Sequence, residues 1–289
     1  MKTSSDKTDI SIASLENIRL LLSWADREGW NPGLEDAQMF FAADRTGFYV
    51  KNVEGKPIAG VSVVKQNDEH SFLGLYLCES SHRGAGHGLQ VWTAALESSG
   101  TRSVGLDGVV DQQENYKRSG FTYLHRNIRY SGALMDTNPP EADVHNTIKK
   151  AAIDDLEMIT NYDASIGGLK RLAFFNAWFS PNTTRSIYYA QRNKKIIGMV
   201  GLRQCINGYK LGPWLADDSA IALTLLAKAA ETIAGEPVMI DVPEPNQDAV
   251  QLMQKKGLEP CFETARMYRG VQPQIDTQRL FGVATLELG

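Results

Sequence analysis

The sequence predicts an α/β protein made of two tandem copies of one fold, each a twisted mixed sheet flanked by helices. Three observations carry this. At 289 residues the chain exceeds the roughly 100–200 residues of a usual domain. Two segments present the same landmarks in the same order, as an internal repeat does. Gly74 stands fourteen positions after Gly60 in the first segment, and Gly212 fourteen positions after Gly198 in the second.

Each half opens with helical material, about 14–28 with 34–43 and about 154–161 with 167–179. Strands follow at 48–50, 58–64 and 72–77 in the first half, and at 187–190, 195–200 and 209–214 in the second. The turn Glu54-Gly55-Lys56-Pro57 joins the first pair. Helices are expected at 88–98 (Leu89, Trp92, Ala95, Leu96) and 219–234 (Ala222, Leu225, Leu226, Ala229), where apolar residues recur at helical spacing. A buried strand comes next, 103–107 matching 237–241. A short helix then stops at Gly120 and at Gly257, each placed as a C-terminal cap. Final strands carry Arg126, Arg129 and Tyr130 in one half, and Arg266, Tyr268 and Arg269 in the other. Asn138-Pro139-Pro140 sustains neither helix nor central strand, so domains are expected at 1–134 and 144–289 with a linker at 135–143.

Hydrophobic residues at 43% and charged residues at 22% are ordinary for a globular chain. A net charge of -4 argues against general affinity for nucleic acid or anionic membrane and favours small or cationic ligands. Cys78, Cys205 and Cys261 are too scattered for a disulfide framework or a zinc cluster, so no metal is expected. Residues 1–9 lack the apolar core of a signal peptide, and no run approaches the roughly 20 apolar residues of a membrane span. The expectation is a soluble cytoplasmic protein. Because the two halves can stand in for two subunits, both monomer and homodimer stay open.

The chemistry concentrates between Leu77 and Leu96. A strand ends near Cys78, a polar turn follows, and Arg83-Gly84-Ala85-Gly86-His87-Gly88 opens directly into an amphipathic helix. Helix-start N–H groups point outward unpaired, and glycines let a phosphate approach them. A P-loop would end in Gly-Lys-Ser/Thr and a dinucleotide fingerprint would read G-x-G-x-x-G; neither spacing is present.

With Arg83, Gly86 and Gly88 meeting Q/R-x-x-G-x-G/A, and Tyr116-Lys117-Arg118-Ser119-Gly120-Phe121 meeting Tyr-x-x-x-Gly-Phe, the chain resembles the GNAT superfamily of acetyl-CoA-dependent N-acyltransferases. Through Trp30-Asn31-Pro32-Gly33, Gln113-Glu114-Asn115-Tyr116 and Asp241-Val242-Pro243-Glu244 it is also similar to the two-domain, YitH-like bacterial subgroup, over nearly the whole chain. The resemblance implies two GNAT-like domains and acetyl-CoA as co-substrate. Its pyrophosphate would lie on Arg83, Gly84, Ala85, Gly86, His87 and Gly88, and its pantetheine along Leu77, Cys78 and Glu79 with Asn115 nearby. Tyr116 matches the general acid, and the loop with Trp30 and Asn31 matches the acceptor wall. Glu79 and Asp107 are the nearest carboxylates for a base, or else a turn residue and a structural partner.

The second half lacks this equipment. After Trp214 stands Leu215-Ala216-Asp217-Asp218, without glycine and with two acids that would repel a pyrophosphate. Met253 stands where the phenol should be and cannot donate a proton. This half is expected to be a degenerate copy that shapes the acceptor pocket or completes the structure, with Asp163, Asp241, Glu244 and Glu263 as acids that could draw a cation. Direct acetyl transfer to a primary amine, on a small molecule, is the leading expectation. A non-catalytic acyl-CoA-binding module and a protein or peptide N-acetyltransferase are the alternatives.

Overall fold

The computed structural model describes residues 9–135, 137–138 and 146–289. Residues 1–8, and positions 136 and 139–143 of the expected linker, lie outside the described residues. The first half runs β1 (Asp9–Ile12), α1 (Leu15–Arg27), α2 (Asp36–Ala43), β2 (Phe48–Val53), β3 (Lys56–Lys65), β4 (His70–Cys78), α3 (His87–Ser98), β5 (Ser103–Val109), α4 (Gln113–Arg118) and β6 (Thr122–Gly132). The second runs β7 (Thr147–Lys150), α5 (Leu156–Gly167), α6 (Leu172–Trp178), β8 (Arg185–Arg192), β9 (Lys195–Gln204), β10 (Tyr209–Ala216), α7 (Ser219–Ile233), β11 (Val238–Pro243), α8 (Gln247–Lys255) and β12 (Glu259–Arg269), and a further strand β13 (Leu280–Gly282) follows. The repeat is present, with an added edge strand opening each half.

The two sheets are fused into one, ordered β1-β2-β3-β4-β5-β12-β6-β11-β10-β9-β8-β7. The fusion is an exchange. Strand β12, from the second half, lies against β5 of the first; β6, from the first half, lies against β11 of the second. Equivalent ion pairs latch both crossings. Arg266 is the cross-strand partner of Asp107 and grips it through Nε at 2.8 Å and a second nitrogen at 2.6 Å. Arg129 is the partner of Asp241 and grips it at 2.7 and 2.9 Å. All four side chains are buried, where the fork of an arginine meets a carboxylate most effectively.

Local sequence explains the helices. Ser14 caps α1, with Asn17 returning the bond in a capping box, and Ile18, Leu21, Leu22 and Ala25 put one apolar stripe inward. Helices α1, α2, α5 and α6 share a single core on one face of the sheet, so the halves are joined by packing as well as by strands. On the other face α3 covers the first half and α7 the second. Among the described residues no helix is long and apolar enough to cross a membrane.

Candidate active site

Strands β4 and β5 run parallel and pair only from His70–Ser103 to Leu73–Leu106, although both continue beyond that point. The fork has a local cause. Leu75 has a left-handed backbone (φ 46°), and around it two β4 residues face one residue of β3, from Ser62–Gly74 to Gly60–Leu77. Such a conformation costs a leucine roughly 1–2 kcal/mol and bends β4 away from β5. Past the bulge, Glu79 N–H donates to Ile58 C=O at 2.8 Å. Antiparallel alternation then makes Ala59–Cys78 the non-bonded pair, so Cys78 turns its N–H and C=O into the fork. Arg83 Nε donates to that C=O at 3.0 Å, and the N–H is left facing the gap.

At the mouth of the fork the chain makes the glycine-rich turn. Gly84 (φ 80°) and Gly86 (φ 81°) are left-handed, which a residue with a Cβ adopts only under strain. Gly86 is the N-cap of α3, and among the described residues no side chain caps the helix start. Its first N–H groups therefore stay available for an anion, which the helix dipole favours by about 0.3–2 kcal/mol. Arg83 braces the loop by pairing with Glu28 as well as with the Cys78 carbonyl.

A cavity of about 660 Å³ fills the fork. Of the residues expected from the sequence, Trp30, Leu77, Cys78, Arg83, Gly84, Gly86, His87, Gly88 and Tyr116 line it. Tyr116 is buried, stacked on Trp92 at 5.4 Å, and its hydroxyl has no hydrogen-bond partner among the described residues. Burial, with a smaller push from Tyr76, raises its phenol well above the ordinary value. Tyr76 is a second cavity phenol, standing edge-on to the same tryptophan at 4.9 Å.

The remaining expected residues sit elsewhere. Asn31 is buried as a tether: its amide donates to Asn207 C=O and accepts from Asn207 N–H, both at 2.8 Å, which docks the loop onto the second half. Asn115 is exposed, donating to Gln112 and accepting from Arg118. Glu79 turns outward to Arg27 at 3.0 Å. Ala85 and these three are not among the cavity residues. Asp107 is a wall residue, but Arg266 and Asn127 occupy its oxygens, and burial pushes its carboxyl up against the pull of Arg266. Asp163, Asp241, Glu244 and Glu263 are likewise paired, with Arg171, Arg129 and, for the last two, Arg126.

Much of the wall opposite β4 comes from residues that motif reading does not reach. Arg129 on β6, Phe262 and Thr264 on β12, and Leu286 and Glu287 near the C-terminus all face the cavity. For the arginine, its register with Arg266 in the repeat was the available signal. For the tail there was none, because no repeat partner or period marks residues 280–289.

The second half has a matching fork, and it is filled. Strands β10 and β11 pair from Tyr209–Val238 only to Leu211–Ile240. Strand β13 enters the gap, pairing Trp214 with Gly282 and Leu215 with Leu280, and Val283 N–H donates to Asp241 C=O on the far side at 2.9 Å. Phe281 packs on Trp214 at 5.5 Å. Asn246 holds the incoming strand through Gln278 C=O and Leu280 C=O at 3.1 and 3.0 Å. At the start of α7, Asp218 accepts from Ile221 N–H at 2.8 Å, and Asp217 is engaged by Tyr162 and Arg279. Met253 is fully buried.

Models of an acetyltransferase (GNAT) family and an acetyltransferase (GNAT) domain match residues 15–121 and 159–282. Over 278 residues the chain is 36% identical to the holothin acyltransferase of Pseudoalteromonas sp. (strain SANK 73390), covering 96% of this chain and 93% of that protein. Among solved structures it is similar to a candidate acetyltransferase from Pyrococcus horikoshii, with a TM-score of 0.80 at 17% identity over 100% of this chain and 98% of that one. A tandem GNAT protein from the clavulanic acid biosynthesis pathway gives a TM-score of 0.61 at 10% identity, over 91% and 98%. At these identities the structural likenesses speak for the fold.

Proposed function

The chain belongs to the GNAT superfamily and is an acyltransferase; from that premise we propose that it moves acetyl from acetyl-CoA to a primary amine of a small molecule, using the first fork alone. The observation that carries this reading is a convergence. An uncapped glycine-rich helix start, the free Cys78 N–H and the unpartnered Tyr116 phenol open onto one cavity.

Acetyl-CoA supplies the acyl group already activated as a thioester. The N–H groups at the start of α3 suit its pyrophosphate. Cys78 N–H is placed to donate to the thioester carbonyl, where charge develops as the amine attacks. Tyr116 keeps its proton because burial disfavours the phenolate; that proton serves the sulfur as the C–S bond breaks, and the proton shed by the nitrogen as the C–N bond forms restores the phenol. Burial also pushes the Cys78 thiol up, away from the thiolate that a covalent relay would need, which favours direct transfer. A cavity of about 660 Å³ with walls from both halves suits a small acceptor. With its fork filled by β13, the second half serves as scaffold and wall.

The test is thiol release from acetyl-CoA against amines, amino sugars, polyamines, short peptides and holothin, the compound in the relative's name, with wild type and Tyr116→Phe. Wild-type turnover on a small amine is expected, falling at least about tenfold in the variant while CoA binding persists. Turnover on peptides alone would overturn the small-molecule acceptor. Tight acetyl-CoA binding with no release on any amine would favour an acyl-CoA-binding module.

A further inference from the structure

The tail that fills the second fork goes on to the first. Beyond β13, Val283 crosses Gly212 so closely that a Cβ there would meet its carbonyl oxygen at 1.9 Å. Four residues later Glu287 crosses Gly74, the matching glycine of the repeat, where a Cβ would meet its carbonyl oxygen at 2.1 Å. Gly74 is the first residue of β4 beyond its last pairing with β5, so the tail brings Glu287 to the floor of the open fork.

Glu287 is only 4% exposed, and its Oε2 has no hydrogen-bond partner among the described residues. A buried carboxylate oxygen without a donor is costly unless something else supplies one. Its cationic neighbours each bond another residue, although Arg203 Nε is itself without a partner among the described residues. Arg129 grips Asp241, Arg203 grips Asp36 at 3.0 Å, and Lys210 donates to Trp30 C=O at 2.8 Å. Burial pushes the Glu287 carboxyl up, but Lys210, Arg203 and Arg129 together hold it below its ordinary value, so it is a carboxylate. Of the two buried carboxylates in the cavity wall, Asp107 is fully engaged and Glu287 is not. Trp30, pinned through its carbonyl by Lys210 and Arg129, walls the same space.

We propose that Glu287, carried across both forks by the tail, is the acceptor-recognition residue, its carboxylate at the cavity wall accepting a hydrogen bond from an N–H of the amine substrate. This rests on the acyl-transfer reading above and adds who selects the acceptor. The tail then has two tasks: β13 closes the second fork, and Glu287 gives the first its polarity for nitrogen.

The experiment compares wild type, Glu287→Gln and Glu287→Asp on the best acceptor found by thiol release, measuring both KM values, kcat and Tm. The acceptor KM is expected to rise at least about tenfold in Glu287→Gln, as for a lost bond to a charged group. The acetyl-CoA KM is expected to stay within about twofold. An unchanged acceptor KM in the folded variant overturns the proposal, and so does a parallel rise in both KM values, which a structural role would give. Should Glu287→Gln not fold, Glu287→Asp keeps the charge but withdraws the oxygen, and the same split in KM decides. Wild-type thiol release reports separately on the parent reading, and calorimetric titration of the amine into the CoA-bound protein and its Glu287→Gln variant reads recognition without turnover; equal affinities there overturn the proposal.

Discussion

The two forks start from the same geometry and end in opposite states. Both arise where a parallel pair parts after its first few residues, and both are bordered by an exchanged strand latched through a buried arginine and aspartate. In the first, the loop is glycine-rich, the helix start has no side-chain cap among the described residues, and the gap is a cavity. In the second, Asp218 caps the helix, and β13 makes the backbone hydrogen bonds that the parted strands lack. An open fork is a backbone polar surface waiting for a partner, and this chain completes one of its two forks with its own tail.

Breaking the latches should have the largest effect and should treat the forks alike. Asp107→Ala and Asp241→Ala each leave a buried guanidinium unpaired, and each is expected to lose about 3–5 kcal/mol in urea unfolding. A much smaller loss at one site would show that the exchange is held unequally. Next, the paired substitutions Gly212→Ala and Gly74→Ala each force a Cβ onto a tail backbone carbonyl that has little room to yield, at about 3 kcal/mol, the upper end of overpacking costs. Both should lower Tm, whereas only Gly74→Ala should also raise the acceptor KM, because only it displaces Glu287. Smallest is Gly86→Asp, which gives the first fork the device of the second, a carboxylate at the helix start. The acetyl-CoA KM should rise about a hundredfold, or roughly 2.7 kcal/mol, and an unchanged value would remove the loop from cofactor binding.

Part of the site was legible because its chemistry is local. Arg83, Gly84, Gly86 and Gly88 lie within six residues, and their conformational demand is written in the glycines themselves. Tyr116 could be placed because a short helix and its glycine cap fix it relative to β5. Asn31, Asn115, Glu79 and Ala85 fit the motif frame yet lie outside the cavity, since motif spacing says where a residue stands along the chain and not which way its side chain leaves the backbone. The matched glycines at 74 and 212 were visible as a repeat, but their reason, a tail passing over both, was not.

By itself the sequence determined the tandem α/β repeat, the glycine-rich turn that opens a helix and the loss of that turn in the second half, because each follows from residues near one another in the chain. Only the tertiary structure decided which strand completes which sheet, that residues 280–289 close one fork, and that Glu287 enters the other. Pairing partners and tail routes depend on contacts distant in sequence, where a strand's pattern shows that it is buried but not against what.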